Sequence, residues 1–249
     1  MSEKHKINKY IAYFQAYTNT YAPMEELKKK YFEAISVPDV VGLAIATRPD
    51  CLSPDVLALL NELSHKTYVW IELGLQSIHE ETAAIISRGY PLSCFEKAVS
   101  DLNSIGIDTV CHLIFGLPGE SKEDMLGSVK FISKKKLQGV KIHLLHVLEG
   151  TRLAEMYRYN TFDTLKKNEY VNLVVDALEL LPSNFVIHRI TGDGPKDILI
   201  APKWSENKRD VLDSIRNELL KRDSWQGKLY FPSNIPLSLN TITKEDPLC

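Results

Sequence analysis

Six short runs of β-branched, aromatic and aliphatic residues punctuate the chain, at 10–15, 40–46, 69–75, 109–115, 140–146 and 185–190. Each is followed by a polar or Gly/Pro break and then by apolar residues at helical spacing, which predicts alternating strands and helices. Met24, Leu27, Tyr31, Phe32 and Ile35 mark one helical face after Ala22-Pro23. Ser53-Pro54-Asp55 predicts a second helix, with Ser as N-cap and Pro at the first helical position. Arg88-Gly89 and Ile105-Gly106 predict two helix ends, glycine taking the left-handed position past the last turn. Ser121 and Asp124 form a capping-box pattern ahead of Met125, Val129 and Ile132. Through the fifth run the strands recur every ~30–40 residues, the length of a βα unit.

Near-continuous apolar strands joined by helices imply a parallel sheet covered by helices, either doubly wound or closed toward a barrel. The polar residues favour the barrel, because they cluster just past the carboxyl end of each run, where βα barrels build active sites. Gln15, Thr18, Asn19 and Thr20 follow the first run, and Thr47-Arg48-Pro49-Asp50 the second. Gln76-Ser77 follow the third, Gly116-Leu117-Pro118-Gly119-Glu120 the fourth, and His146, Glu149, Gly150 and Thr151 the fifth. The expected fold is α/β, a partial TIM-like barrel over residues 1–158 with a C-terminal α/β extension over 159–249 packed on it. That extension holds a helix near 165–181, the run at 185–190, the loop Thr191-Gly192-Asp193-Gly194-Pro195 and a helix near 210–221. From about 225 periodicity fades into Pro, Ser, Asn and Thr, so an irregular, surface-lying tail is expected after about 230.

Composition sharpens the picture in three ways. Thirty basic against 32 acidic side chains leave a net charge of −2, which argues against a broad polyanion-binding surface and makes nucleic acid an unexpected partner. No apolar run is long enough to span a membrane, and Met-Ser-Glu-Lys-His-Lys leads into no apolar signal core, so a cytoplasmic protein is expected. The four cysteines, Cys51, Cys94, Cys111 and Cys249, lie too far apart to form a local metal or redox motif.

Five motifs in order carry a family resemblance: Ala46-Thr47-Arg48-Pro49-Asp50; Glu72-Leu73-Gly74-Leu75-Gln76-Ser77; Arg88-Gly89; Phe115-Gly116-Leu117-Pro118-Gly119-Glu120; and His188-Arg189-Ile190-Thr191-Gly192-Asp193-Gly194-Pro195. Together they resemble radical SAM enzymes, in the branch shared by coproporphyrinogen dehydrogenase, the Elongator catalytic subunit and the methylthiotransferases. Tyr13-Phe14-Gln15-Ala16-Tyr17-Thr18-Asn19-Thr20-Tyr21-Ala22-Pro23 narrows the likeness to the YhcC/YtqA-type group. The resemblance implies a partial (β/α)6 barrel, S-adenosylmethionine and a [4Fe–4S] cluster, with an electron donor such as flavodoxin or ferredoxin. Its cluster cysteines would stand upstream of the segment at 10–23, where this chain has nine residues and no cysteine. The chain is therefore expected to be a fragment without its first βα unit, inactive as it stands, from an enzyme that reductively cleaves S-adenosylmethionine. The substrate is not readable; coproporphyrinogen III oxidase-like chemistry is one option. An ordinary acid–base barrel enzyme using His112, Glu72 or Asp193, and a non-catalytic binding protein, are the alternatives.

The resemblance assigns cofactor contacts residue by residue, and each has a structural alternative. Gln76 suits ribose hydroxyls, or satisfies loop backbone. Arg88 suits a carboxylate, or complements a helix C-terminus. Thr18, Asn19 and Thr20, beside Gln15, either receive the methionine amino group or cap a loop. Thr47 is a polar candidate, and Arg48 either contacts ligand or pairs with Asp50 across Pro49. Gly116 offers backbone and Leu117 an adenine-facing surface, or both build a tight turn. His112 points into the barrel or is core. His143 and His146, three apart on one run, point to opposite faces and cannot chelate one ion without a bend; core or surface placement is expected. His188, Arg189, Thr191 and Asp193 either grip a polar or anionic substrate or brace the extension.

Overall fold

The computed structural model describes residues 8–192 and 194–231. In chain order these form β1 (Tyr10–Phe14), α1 (Met24–Ser36), β2 (Val40–Thr47), α2 (Pro54–Ser64), β3 (Tyr68–Gln76), α3 (Glu80–Ile85), α4 (Leu92–Ser104) and β4 (Asp108–Phe115). There follow α5 (Lys122–Ile132), β5 (Gly139–Leu144), β6 (Val147–Leu148), α6 (Arg152–Arg158), α7 (Lys167–Leu180), β7 (Val186–Arg189), β8 (Leu199–Ala201) and α8 (Lys208–Lys221).

All six predicted runs become strands of one parallel sheet, in the order β1-β2-β3-β4-β5-β7. The order never reverses, so there is no switch point of the doubly wound kind. Leu43, Ile45, Ile71, Leu73, Leu75, Cys111, Leu113, Phe115, Val140, Ile142 and Leu144 all enter one core with the helices. The alternate residues face the other side, which is concave. In a flat sheet β1 and β5 would stand ~19 Å apart, four inter-strand spacings; yet Lys141 Nζ on β5 donates to the Tyr13 hydroxyl on β1 at 2.8 Å. Only a strongly curled sheet permits that contact, and the fold is a partial barrel.

The helix signals translate into hydrogen bonds. Ser53 Oγ accepts from the Val56 N–H (3.3 Å), and Ser121 with Asp124 closes the capping box at the start of α5. Arg88-Gly89 does not end a helix directly: α3 stops at Ile85, and Arg88 lies in the loop with its side chain drawn inward. β6 and β8 pair antiparallel outside the main sheet, each too short to leave a period in the sequence. Past α8 the chain is pinned along α7, where the Gly227 and Leu229 N–H groups donate to Leu178 and Glu179 carbonyls at 3.0 and 2.9 Å. Among the described residues no helix is long and apolar enough to cross a membrane.

Candidate active site

At the carboxyl ends of β2 to β5 lies a cavity of about 490 Å³, the size of a small-ligand site. Ile85, Ile86, Ile114, Leu117, Leu145, Leu153 and Met156 give it apolar walls, and Arg48, Gln76, Ser87, Arg88, Tyr90, Thr151 and Arg152 supply the polar groups. The local backbone sets this up. A register shift near Gly74 and a left-handed Gln76 (φ 62°) kink the end of β3 and turn the Gln76 side chain back over Gly74. A β-carbon at Gly74 would collide with the Gln76 amide nitrogen, so glycine is the residue that leaves room for it. The Tyr90 hydroxyl donates to the Gly74 carbonyl (2.6 Å) and reaches the Gln76 side-chain oxygen (3.1 Å). Burial pushes that hydroxyl up to about 12, so it stays a donor at neutral pH. Two guanidiniums flank the Tyr90 ring, Arg48 at 5.0 Å and Arg88 at 5.1 Å from its centre.

Arg48 holds Asp50 bidentately (2.9 and 2.7 Å). Arg88 donates to the carbonyls of Tyr90 (2.9 Å), Leu75 (3.3 Å) and Ser77 (2.7 Å) and to Glu80 (3.0 Å). Four of its five N–H groups are thereby committed between Leu75 and Tyr90, and one is left without a protein partner among the described residues.

Deeper in the concave face lies a polar network. Glu72, 2% exposed, accepts from Lys141 Nζ at 2.6 Å on each oxygen, from Tyr13 at 2.7 Å and from Trp70 Nε1 at 3.3 Å. His112 Nε2 lies 3.0 Å from the same carboxylate, and the Tyr13 ring covers the Lys141 ammonium at 4.7 Å. Burial alone would raise the Glu72 carboxyl, but the hydrogen bonds from His112, Lys141 and Tyr13 overcome it and hold the group well below the ordinary carboxylate range. His143 stacks 5.2 Å from His112; burial, then the charges of His112, Arg189 and Lys141, push its imidazole down to about 3.

Residues 2–132 match the family described as the Radical SAM superfamily, and residues 137–221 match the Radical_SAM C-terminal domain. The chain belongs to the radical SAM superfamily. It is 47% identical to the Bacillus subtilis protein YtqA over 230 residues, covering 92% of this chain and 71% of that protein. To Escherichia coli YhcC the identity is 33% over 231 residues, 91% and 75% of the two chains. Among solved structures, an archaeal Elp3 from Methanocaldococcus infernus aligns with a TM-score of 0.78 at 23% identity, over 90% of this chain and 57% of that one. Escherichia coli HemN, a radical SAM coproporphyrinogen III oxidase, aligns at 0.52 with 13% identity, over 68% and 39%. At such identities these two establish the fold alone.

In this radical SAM chain the structure gathers Arg48, Gln76, Arg88 and Leu117 around one cavity. Gly116 lies behind it with φ +88°, its N–H donating to the Met125 sulfur, and Gln15 is exposed at the end of β1. The other loop residues lock the end of β2. Asn19 Nδ2 donates to the Phe14 (3.0 Å) and Ala46 (2.8 Å) carbonyls, and Thr20 Oγ1 meets Thr47 Oγ1 (2.5 Å) and donates to the Cys51 carbonyl (2.6 Å). Thr18 is half-buried beside them. His112 does face the concave side, as do His188, seated 6.3 Å from Trp70, and Arg189; Thr191 is buried and Asp193 lies outside the described residues. β5 ends at Leu144, so His146 stands beyond the strand. Lys141 was missed, because a lone lysine between Val140 and Ile142 gives no periodic signal.

The apolar walls and the Gln76 amide fit S-adenosylmethionine, whose adenine is flat and whose ribose carries a hydroxyl pair. The cluster is another matter. Among the described residues no three His, Cys, Asp or Glu side chains gather to hold a metal. Cys111 is buried against the helix layer, which pushes its thiol far up, away from the thiolate a ligand needs.

Proposed function

We propose that these residues form the S-adenosylmethionine-binding part of an enzyme that reductively cleaves that cofactor to begin radical chemistry on a substrate held in the concave face. The observation that carries this reading is the cavity at the strand ends, in a radical SAM chain, with Gln76 fixed over Gly74 at its centre. Gln76 donates and accepts, as a ribose diol requires; Ile114, Leu117 and Leu145 offer the flat apolar surface a purine needs; Arg48 and the last Arg88 N–H are the groups for the methionine carboxylate. The [4Fe–4S] cluster supplies the electron when bound, and its cysteines lie outside the described residues. The chain alone is then a binder without turnover. Flavodoxin or ferredoxin is the electron donor and the cytoplasm the compartment; neither membrane nor nucleic acid takes part.

Calorimetric titration of the chain with S-adenosylmethionine tests the binding half. Gln76→Leu should weaken affinity roughly tenfold, the effect of one lost hydrogen bond of ~1.4 kcal/mol. The catalytic half is tested by anaerobic reconstitution of the intact protein and assay for 5′-deoxyadenosine. Unchanged affinity in Gln76→Leu, or no 5′-deoxyadenosine from reconstituted protein, refutes the corresponding half.

A further inference from the structure

Below the cavity, three basic residues stand in register on neighbouring strands. His112 on β4 pairs with Lys141 on β5, and Lys141 pairs with Arg189 on β7. The register shift between Val140 and Lys141 places two residues of β7 against one of β5, and this lets both His188 and Arg189 reach the concave side. His188 is then used: its Nε2 lies 2.9 Å from the Gln138 side-chain oxygen, and its ring sits by Trp70.

The charges do not balance. Glu72 is the carboxylate that faces this row, and Lys141 occupies both of its oxygens. Arg189, half-buried at the end of β7, has no hydrogen bond or ion pair among the described residues. No Arg189 nitrogen is sealed from solvent, so its five donors stay open to water or to an anion. Beside it, His143 Nε2 is buried with no partner. Arg189 is near enough to disfavour charge on His143 and to stabilise negative charge on Tyr13, which sets it on their side of the sheet edge, and it also borders the cavity beside α7 and α8.

We infer that Arg189 and His143, beside the neutral Glu72–Lys141 pair, form an oxyanion seat on the concave face, and that the substrate carries a carboxylate or phosphate delivered there. The word substrate rests on the function proposed above; the seat does not. The Arg189 fork takes two oxygens of the anion, and the neutral imidazole donates its single N–H to a third contact.

The seat is tested on the whole chain with two probes, inorganic phosphate and acetate, following the His143 imidazole signals by NMR against chloride at matched ionic strength. Saturable shifts are expected with at least one probe; tighter phosphate names a phosphoryl group, tighter acetate a carboxylate. Arg189→Gln should weaken binding at least tenfold and His143→Gln severalfold, while Arg158→Gln, which removes a surface pair with Glu149, leaves it unchanged. Arg189→Lys reads the same loss in smaller measure if Arg189→Gln does not fold. Shifts no larger than those from chloride, or undiminished binding in Arg189→Gln, overturn the seat. An intact seat with no 5′-deoxyadenosine from the intact protein overturns the reaction instead.

Discussion

Replacing Lys141 with Met takes from the Glu72 carboxylate, 2% exposed in the parent, its two shortest hydrogen bonds, both from Lys141 Nζ. Breaking a buried pair from one side costs ~3–5 kcal/mol when the remaining charge is stranded. Glu72 is not wholly stranded, because Tyr13 and Trp70 still donate and His112 stays at 3.0 Å. The expected loss therefore falls at the lower end, ~3 kcal/mol, and the melting midpoint of a chain this size should drop by roughly 6–12 °C. Glu72→Gln/Lys141→Met should recover most of it, since the double change leaves no buried charge to solvate. Urea unfolding of all four proteins, the two singles, the double and the parent, gives the coupling directly. The native pair also has an acid signature. The folded Glu72 carboxyl titrates below its unfolded value, so its contribution is complete above about pH 4.5 and is lost as pH falls toward the folded value. A Lys141→Met loss under ~1 kcal/mol, or single losses that simply add in the double variant, would falsify the claim that these groups form one cooperative unit.

His143 gives a second pH signature. With its imidazole pushed down to about 3, the unfolded chain binds one more proton between that value and the ordinary 6.5, so stability falls on acidification across this window. NMR titration should find His143 neutral at pH 5, and a midpoint near 6.5 would refute its burial. Gly139→Ala places a β-carbon against the Val186 carbonyl oxygen on the neighbouring strand; β7 should loosen at a cost of ~1–3 kcal/mol, read as faster amide exchange at Val186 and His188. Cys111, raised by full burial, should resist alkylation in the native chain at a pH where Cys51 and Cys94, half-buried, react; equal rates would contradict its placement in the helix-facing core.

The strands were legible because both faces of a parallel sheet are covered: Val140, Ile142 and Leu144 face the helices while only Lys141 and His143 break the run. Capping residues marked α2 and α5 for the same local reason, a side-chain oxygen three residues before an N–H. β6 and β8, two and three residues long, are too short for any period and exist through their pairing alone. In the site, Gln76 and Arg48 could be found from where they fall past strands. The Glu72–Lys141 pair and the His112–Lys141–Arg189 row could not, since they are made by register between strands far apart in the chain. Of the two roles the sequence offers Arg88, a ligand carboxylate or a helix C-terminus, the second is not found: its guanidinium knits the loop after β3 from within.

The Lys141–Tyr13 contact has a mechanical meaning for the groove. It is a chord drawn across the arc of the sheet, tying an edge strand to one four positions away. Shortening or cutting a chord changes the radius of the arc, so substitutions at either end act on the width available to whatever lies between the strands, even where they touch nothing that enters.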